Sequence, residues 1–528
     1  MIRSLRNLVR LMSVAHTLAR HGALQALDSA LETVGATSTF LDLARFLFGR
    51  GTGAGRPGER LAAALAELGP AFIKLGQMLA TRTDLLGAQV AADLSTLQDR
   101  LPPFPGAVAR AIIEAELGRP VGELFASFDE RPVSAASIAQ VHFATLPEGA
   151  YAPANGEAGT EAGRAFRTRE VAVKILRPDI ERAFLRDLDL LRWLAEIVEA
   201  TQPRLRRFRP IEAIEGFARQ VEFEMDLRLE AAAASELARN FADDPTYRVP
   251  AVDWRRSARR VLTQERLAGI RMDDRAALLA AGHDIDQVLT KAAAIFFKQT
   301  FRDGFFHGDQ HPGNMFVDAE GNIGAVDFGI MGRLDKATRY YLADMLLGLL
   351  ERDYRRLAEI HVAAGIVPET QSQDMLAQAL RAIAEPVFGR PLNEISFAKL
   401  LGQLFQLAET FDMRVPAHLL LLQKNMLMAE GVSRQLNPDL NIWTLAQPLI
   451  EQWMRENRGP EARLAEAVGE GAALLRRLPR LLSALERAAE RLTEPAAPPL
   501  APLGDRLLGT PWWAWAALLL ALGFAFLR

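Results

Sequence analysis

The sequence predicts an α+β protein in which a β-containing unit lies between helical segments. Three observations support this fold class. From Val133 onward, short β-branched runs at 133–146 and 169–176 replace the helical spacing of apolar residues that precedes them, and they predict the two strands of a hairpin with a long tip. A further strand is predicted at "RRVLTQERL". Alanine- and leucine-rich helical patterns fill the N-terminal part and return over most of 274–455. An uncharged, apolar stretch at 507–527 has the composition of a membrane-spanning helix.

The chain is long enough to require more than one packed unit. At 528 residues it exceeds what one hydrophobic core usually organises, and its 49% hydrophobic and 24% charged residues are ordinary for a globular protein. The predicted parts are a helical extension at 1–118, a β-containing lobe at 119–270, a helical lobe at 271–455, an amphipathic helix with a proline-rich linker at 456–506, and a transmembrane helix at 507–527.

Composition excludes several functional classes. The net charge of -3 gives no basis for binding a nucleic-acid backbone, which requires a concentrated positive surface, so we expect no nucleic-acid partner. The chain contains no cysteine, which rules out disulfides, thiolate zinc sites, iron–sulfur clusters and cysteine nucleophiles.

Both ends of the chain carry features typical of membrane contact. A helix over 507–527 would extend for roughly 30 Å, about the thickness of one hydrocarbon core. Trp512, Trp513 and Trp515 cluster at its start, as residues that favour the membrane interface do. The N-terminus is rich in arginine and has no acid before Asp28. This pattern fits a basic amphipathic helix on an anionic membrane, a packed surface helix or an organelle transit peptide.

The stretch "FFHGDQHPGNMFV" admits two interpretations. Asp309 and Asn314 have the Asp-x-x-x-x-Asn spacing of a phosphotransferase catalytic loop, and a later "VDFG" contains Asp327. In that chemistry Asp309 is the catalytic base or orients a nucleophilic water, while oxygens of Asn314 and Asp327 hold Mg²⁺. Alternatively, His307 and His311 join Asp309 in a 2-His-1-carboxylate iron site for oxygen chemistry.

Residues upstream favour the phosphotransferase interpretation, and the iron interpretation leaves them unexplained. Lys174 ends "VAVK" on a predicted strand, where it would hold the α- and β-phosphates of a nucleotide. Further upstream, small residues replace a glycine-rich phosphate loop, and their methyl groups narrow the allowed backbone dihedrals, so we expect a stiff loop. The candidate nucleotide-binding residues of this loop are Val133, Ser134, Ala135, Ala136, Ser137, Ile138, Ala139, Gln140 and Val141.

A glutamate is needed to neutralise and position the lysine, as an ion pair between a strand and a helix. The segment "QVEFEMDLRLEA" offers four acids on a predicted helix, where Glu222, Asp226 and Glu230 share one stripe and Glu224 lies on another. The sequence does not decide between Glu224 and Glu230.

With these residues assembled, the sequence resembles the UbiB family of atypical protein-kinase-like proteins, which is associated with ubiquinone biosynthesis. The resemblance covers well over half of the chain. Its most distinctive motif is Lys-x-Gly-Gln in "GPAFIKLGQMLATRTDLL", with Lys74 and Gln77. It also includes "SAASIAQVH", the Glu-x-Asp of Glu224 and Asp226, and "LLLLQKNMLMAEGVSRQLNPDLN".

The resemblance implies a two-lobe protein-kinase-like fold, with 119–270 as the N-lobe, 271–455 as the C-lobe, and the helices of Lys74 and Gln77 laid across the site. It implies ATP or ADP and Mg²⁺ as cofactors, and Glu265 lies near the expected hinge. The implied activity is that of an ATPase or unorthodox kinase supporting the aerobic ring-hydroxylation stage of ubiquinone biosynthesis.

The same resemblance sets expectations for location and partners. We expect the bacterial inner membrane, with the catalytic body in the cytoplasm, and as partners membrane lipid, polyprenyl quinone precursors and other quinone-biosynthesis proteins. Two other functions stay open. One is a small-molecule phosphotransferase of the aminoglycoside- or choline-kinase type, which the Lys-x-Gly-Gln region argues against. The other is a non-catalytic scaffold that binds nucleotide to change shape.

Overall fold

The structure is a computed structural model. It describes residues 2–26, 55–80, 86–148 and 169–386 with short interruptions, and parts of 403–457 that include 417–439. The elements below belong to a compact unit that ends at Trp453.

Several predicted segments lie outside the described residues. They are the hairpin tip at 149–168, nearly all of the amphipathic helix and linker at 456–506, and the transmembrane helix at 507–527. Among the residues that the structure does describe, no helix is both long enough and apolar enough to span a bilayer.

The described helices are α1 (Ile2–Arg20), α2 (Pro57–Leu68), α3 (Pro70–Ala80), α4 (Ala88–Ser95), α5 (Gly106–Leu117), α6 (Val121–Leu124), α7 (Ile180–Thr201), α8 (Pro210–Glu224), α9 (Leu227–Asn240), α10 (Arg275–Ala280), α11 (Ile285–Phe297), α12 (Lys336–Leu350), α13 (Tyr354–Ala363), α14 (Gln373–Ala384) and α15 (Ala417–Leu436). The described strands are β1 (Ser127–Phe128), β2 (Ser134–Ala135), β3 (Ala139–Thr145), β4 (Glu170–Leu176), β5 (Tyr247–Arg248), β6 (Val261–Glu265), β7 (Ile270–Arg271), β8 (Phe305–His307), β9 (Met315–Val317), β10 (Ile323–Ala325) and β11 (Met331–Arg333).

Helices α1 to α4 pack against one another in the N-terminal part. Pro57 begins α2, at a position where its missing N–H breaks no helical hydrogen bond, and the Glu59 carboxylate accepts the N–H of Arg56 at 2.8 Å. Buried side chains of α2 and α3, among them Leu65 and Ile73, join those of α7 in one apolar cluster. The helical prediction for the N-terminal extension is confirmed where this part of the chain is described.

Helix α1 packs on α7 by its basic side. Arg6 and Arg10 form ion pairs with Asp189 and Asp187 at 2.5 and 2.8 Å. Of the three alternatives predicted for this segment, the packed surface helix is therefore present in the structure. An apolar stripe on α1 stays exposed and consists of Leu5, Leu8, Val9 and Met12.

The first sheet has the strand order β1-β3-β4-β6, with β2 paired to β3. Strands β3 and β4 form the antiparallel hairpin that the sequence predicts, and Val141 lies opposite Lys174. Alternate residues of β4 are buried, because Val171, Val173 and Ile175 face the apolar core beneath the sheet. The hairpin prediction and the predicted strand at β6 are confirmed.

The acidic helix predicted around Glu222 is divided in two. Helix α8 ends at Glu224, and Asp226 starts α9 by accepting the N–H of Arg228 at 3.1 Å. The prediction that Glu222, Asp226 and Glu230 share one helical stripe is wrong, because an aspartate that caps a new helix interrupts the 3.6-residue period.

The other described strands form a second sheet of order β5-β10-β9-β7, whose strand β5 precedes β6 in the chain, and the antiparallel pair β8–β11. Residues 266–269 connect β6 of the first sheet to β7 of the second. Arg248 of β5 and Glu265 of β6 form an ion pair at 2.8 Å, which links the two sheets beside this connection. Glu265 thus lies where one sheet passes into the other.

Candidate active site

Lys174 lies at the centre of a cluster of three charges. Its ammonium is 2.9 Å from both carboxylate oxygens of Glu230 and 2.9 Å from Oδ1 of Asp327. The side chains of Lys174 and Glu230 are only 12% and 6% exposed. Of the two glutamates that the sequence left open, Glu230 is therefore the partner of Lys174.

Burial and charge act in opposite directions on this cluster. Burial lowers the pKa of Lys174, but the attraction of Asp327 and Glu230 outweighs it and raises that pKa above its ordinary value. For Glu230, burial is the largest influence and raises the pKa, although Lys174 and the N–H of Phe328 act to lower it. Burial also acts to raise the pKa of Asp327, but Lys174 outweighs it and lowers that pKa to about 2. Lys174 and Asp327 are therefore ionised at neutral pH.

Asp327 has an unusual backbone conformation. Its φ of 64° lies in the left-handed region, which few residues other than glycine adopt and which aspartate tolerates better than most. Its side chain is paired with Lys174 and yet 48% exposed. Lone pairs of this carboxylate are therefore accessible to a ligand from solvent.

His307 joins the segment that carries Asp309 to the segment that carries Asp327. The N–H of Asp309 donates to Nδ1 of His307 at 3.0 Å, so the ring proton must be on Nε2, which donates to the carbonyl of Val326 at 3.2 Å. Burial lowers the pKa of this fully buried imidazole. The ring is therefore neutral at neutral pH, and its two hydrogen bonds hold the two segments together.

Asp309 and Asn314 are held in one tight loop. Nδ2 of Asn314 donates to the backbone carbonyl of Asp309 at 3.3 Å, which leaves its Oδ1 as an acceptor. The N–H of Val326 donates to the carbonyl of Asn314 at 2.9 Å, which places this loop beside Asp327. The Asp309 carboxylate accepts a hydrogen bond from Nζ of Lys424 at 2.7 Å.

The predicted phosphate-covering segment forms a turn between β2 and β3. The N–H of Ala136 donates to the carbonyl of Ala139 at 2.8 Å. Arg177 donates from Nε to the Ala136 carbonyl at 2.9 Å, and so holds the turn in place. Ser137 is fully buried, and its Oγ has no hydrogen-bond partner among the described residues.

The other residues of this segment lie in or beside the two strands, or complete the turn between them. Ser134 lies opposite Val141 and Ala135 opposite Gln140, while Val133, just before β2, is half exposed. Ile138 completes the turn, since its carbonyl accepts the N–H of Arg177 at 2.9 Å.

Gln140 differs from its neighbours because its side chain is engaged within the fold. It is fully buried, its amide exchanges hydrogen bonds with the backbone of Phe104 at 3.0 and 3.2 Å, and it donates to Nε2 of His142 at 2.8 Å. The Gln140 side chain therefore supports the strand and does not reach the charge cluster.

The Lys-x-Gly-Gln helix contacts the acidic segment through Lys74. Its Nζ is 2.8 Å from Oε2 of Glu224, and the two side chains are 13% and 7% exposed. Lys74 also acts to lower the pKa of Asp327, which shows that its charge is close to the cluster. Gln77 lies one helical turn further along α3.

The iron interpretation finds no support in the geometry of the loop. Both ring nitrogens of His307 are used in hydrogen bonds to the backbone. Nδ1 of His311 accepts the N–H of Gly313 at 3.0 Å, as a cap of a short 3₁₀ turn. Within the described part of the chain, no group of three or more histidine, aspartate or glutamate side chains is arranged to hold a metal ion.

The residues present fit Mg²⁺ bound together with a nucleotide. Mg²⁺ keeps several waters and is usually held by one or two protein oxygens plus substrate phosphates. Asp327 offers an accessible, ionised carboxylate, and Asn314 offers an amide oxygen. Lys174 supplies a buried ammonium beside them for phosphate oxygens.

Sequence reasoning missed three residues that shape this site. Lys424 and Asn425 belong to α15, more than a hundred positions after the loop that they contact. Arg177 follows β4 and holds the phosphate-covering turn. An isolated lysine, asparagine or arginine has no spacing pattern to reveal it, although Lys424 and Asn425 lie in "LLLLQKNMLMAEG", a stretch that contributes to the family resemblance.

Two sheets joined by a short connection, with a strand lysine paired to a helix glutamate beside an Asp–Asn loop, define a kinase-like protein. Comparison with known proteins agrees. Residues 96–152 and 161–361 match the ABC1 atypical kinase-like domain, and residues 380–441 match the UbiB helical domain.

Relatives are similar over most of the chain. A protein of Marinobacter nauticus named "Probable protein kinase UbiB" is 45% identical over 76% of this chain and 71% of its own length. A protein of the same name from Xanthomonas euvesicatoria pv. vesicatoria is 45% identical over 81% of this chain and 74% of its own. The chain therefore belongs to the UbiB family of atypical kinase-like proteins.

A solved structure has a similar fold. It is the complex of Rv3197 with erythromycin from Mycobacterium tuberculosis, with a TM-score of 0.50 and 25% identity, covering 66% of this chain and 84% of the other. The kinase-like fold predicted for the body of the chain is thereby confirmed.

Proposed function

We propose that this chain is a membrane-associated atypical kinase or ATPase that binds ATP and Mg²⁺ and supports ubiquinone biosynthesis. The observation that carries the proposal is the ammonium of Lys174 held 2.9 Å from both Glu230 and Asp327, beside the braced loop of Asp309 and Asn314. Membership of the UbiB family supports the role in ubiquinone biosynthesis, at the aerobic ring-hydroxylation stage that the resemblance implies.

Each residue of the cluster has a role in this proposal. Lys174 binds the α- and β-phosphates, and Asn314 and Asp327 hold Mg²⁺. When bound, the metal ion neutralises charge that develops on the transferred phosphoryl group. Asp309 accepts the proton of the nucleophile or orients a water molecule. Lys174 and Asp327 are counter-ions of each other here, so each already has the charge that phosphate and metal require.

Other predicted residues surround the nucleotide in this proposal. The turn from Ser134 to Ala139 covers the phosphates, and its contact with Arg177 supports the stiff loop that the small residues predict. Lys74 and Gln77 close the site from the side of α3, in place of a protein substrate. Glu265 supports the connection between the sheets through Arg248.

Incubation of purified full-length protein with labelled ATP, Mg²⁺, liposomes and quinone precursors tests the proposal most widely. We expect release of labelled phosphate or labelling of an acceptor. Transfer to a soluble alcohol at a rate that matches ATP consumption would instead identify a small-molecule phosphotransferase.

Asp309→Asn separates an enzyme from a nucleotide-binding scaffold. The variant keeps the shape of the side chain but has no carboxylate to act as a base. We expect it to bind nucleotide and to fail to restore ubiquinone synthesis in cells that lack the protein. Restoration at the wild-type level would rule out the enzymatic role.

A further inference from the structure

We propose that Lys424 is a second phosphate-binding lysine, which contacts the terminal phosphate of a bound nucleoside triphosphate and positions Asp309. This inference rests on the proposed nucleotide-binding function of the site. It assigns a catalytic-site role to a helix that lies outside the matched kinase-like domain and inside the matched UbiB helical domain.

The contact with Asp309 places the ammonium of Lys424 at the catalytic loop. Its Nζ is 2.7 Å from Oδ1 of Asp309, and the two side chains are 35% and 33% exposed. An ammonium has three N–H donors, and a hydrogen bond to one carboxylate oxygen uses one of them. A partly exposed ammonium beside the proposed base can therefore also contact a phosphate oxygen of a bound ligand.

Neighbours of Lys424 fix the helix against the loop. Asn425, fully buried, donates from Nδ2 to the carbonyl of His307, and its Oδ1 accepts the N–H of Gln310 at 3.4 Å. One helical turn before, Leu421 packs so closely on Gly308 that a Cβ at Gly308 would lie 2.8 Å from Leu421 Cδ2. Residues three and four positions apart share one helical face, so Lys424 approaches Asp309 from a well-anchored surface.

The negative charge of a terminal phosphate beside Asp309 would need a cation other than Lys174, and Lys424 can supply it. Lys174 already serves two carboxylates, and the loop "DQHPGN" from Asp309 to Asn314 contains no lysine or arginine. The terminal phosphate of a triphosphate brings further negative charge next to Asp309. Lys424 acts to lower the pKa of His307, which Asp309 and Asp327 act to raise. The charge of Lys424 is therefore close to the same imidazole as theirs.

The test compares two ligands within one variant. Binding of Mg²⁺ with ADP and with the β,γ-imido analogue of ATP is measured on full-length protein in detergent. We expect Lys424→Met to weaken binding of the triphosphate analogue by about 10- to 100-fold, the effect of one charge-assisted hydrogen bond. Binding of ADP should stay within about twofold of wild type, because ADP lacks the terminal phosphate.

Control variants separate charge from folding. Lys424→Arg should retain most of the preference for the triphosphate, and Met426→Ala, at a residue 47% exposed on the same helix, should leave both affinities unchanged. The preference is the ratio of the affinities for the triphosphate analogue and for ADP, both measured on the same sample. A partial loss of folded protein therefore affects both measurements equally. Lys424→Gln serves as a second variant if Lys424→Met does not fold.

The outcomes distinguish this inference from the proposed function. If the wild-type protein binds neither ligand, both the proposed function and the role of Lys424 are wrong. If it binds both ligands, and Lys424→Met weakens both equally or neither, only the role of Lys424 is overturned.

Discussion

Lys174 places one ammonium between a buried carboxylate and an exposed one. Glu230 is 6% exposed and depends on Lys174 for compensation of its charge, whereas Asp327 is 48% exposed and in part solvated. Removal of the lysine therefore affects stability mainly through Glu230, and ligand binding mainly through Asp327.

We predict that Lys174→Met lowers the free energy of unfolding by about 3–5 kcal/mol, because it leaves the buried Glu230 without its partner. Urea denaturation followed by circular dichroism measures the change. The double variant Lys174→Met/Glu230→Gln removes both charges and should recover at least half of the loss. A double variant as unstable as the single one would contradict the ion-pair explanation.

Two buried histidines should take up protons less readily than a free imidazole. Burial lowers the pKa of His307 and of His142 below the ordinary value of 6.5. Nδ1 of His142 donates to the carbonyl of Asp129 at 2.8 Å, so its tautomer is the opposite of that of His307. We expect ¹⁵N-labelled histidine NMR to show both rings with a pKa below 6.5, and the neutral ring as Nε2–H in His307 and as Nδ1–H in His142.

The sign of the pH effect on stability follows from the lowered pKa values. Below pH 6.5 the unfolded chain takes up more protons at these rings than the folded chain does. Each ring therefore lowers the free energy of unfolding by up to about 1.4 kcal/mol per pH unit as the pH falls. A pKa at or above 6.5 for either ring in folded protein would refute the assignment.

At the scale of elements, length and periodicity decided what could be predicted. The hairpin of β3 and β4 was predictable because each strand has seven residues, with alternate positions of β4 buried. Strands of two or three residues, such as β8 and β10, are too short to show a period. The break between α8 and α9 has a signal in the sequence, because an aspartate precedes a helical run, as it does at many helix starts. Reading the four acids as one helix does not take this signal into account.

Close packing between β8, its following loop and α15 predicts a strong effect at Gly308. A Cβ there would lie 2.8 Å from Ile330 Cγ2 and 2.9 Å from the Ile330 carbonyl, in addition to its contact with Leu421. We expect Gly308→Ala to lower the free energy of unfolding by about 1–3 kcal/mol, since the backbone must move.

Gly216 offers the matched control for this substitution. It lies within α8, and an added Cβ would have no atom within 4 Å. Gly216→Ala should raise the free energy of unfolding by about 0.5–1 kcal/mol through helix propensity. Equal stability of the two alanine variants would contradict the tight contact described between the loop and α15.

At the scale of the whole molecule, the site joins segments that are far apart in the chain. Lys174, Glu230 and Asp327 could be proposed from motif order, because each occupies a position that phosphotransfer chemistry requires. Lys424 could not, since 115 positions separate it from Asp309 and its helix has no chemical motif. Sequence order predicts chemistry at motif positions, while contacts made by a distant helix depend on the packing of the complete fold.

Membrane association is a prediction that also belongs to this scale. The exposed stripe of α1, with Leu5 and Val9 at 65% and 66% exposure, is apolar surface on a helix whose Arg6 and Arg10 are paired with α7. We expect Leu5→Glu/Val9→Glu to reduce co-sedimentation with anionic vesicles without lowering stability. Unchanged co-sedimentation would show that the stripe of α1 does not contact the membrane, and only the C-terminal segment would remain as a predicted membrane contact.

The central claim is that Lys174, Asp309, Asn314 and Asp327 form one site for Mg²⁺ and a nucleotide. Its most direct test is the thermal shift of full-length wild-type protein and Asp327→Asn with ATP, with and without Mg²⁺. Asparagine is chosen because it tolerates the left-handed backbone of position 327 better than alanine. Glu123→Ala, at an exposed surface position, is the control.

We predict that Mg²⁺ with ATP stabilises the wild-type and control proteins, by about 2.7 kcal/mol at a ligand concentration 100 times Kd, and that Asp327→Asn loses the Mg²⁺-dependent part of the shift. An equal Mg²⁺-dependent shift in Asp327→Asn and wild type would contradict the account.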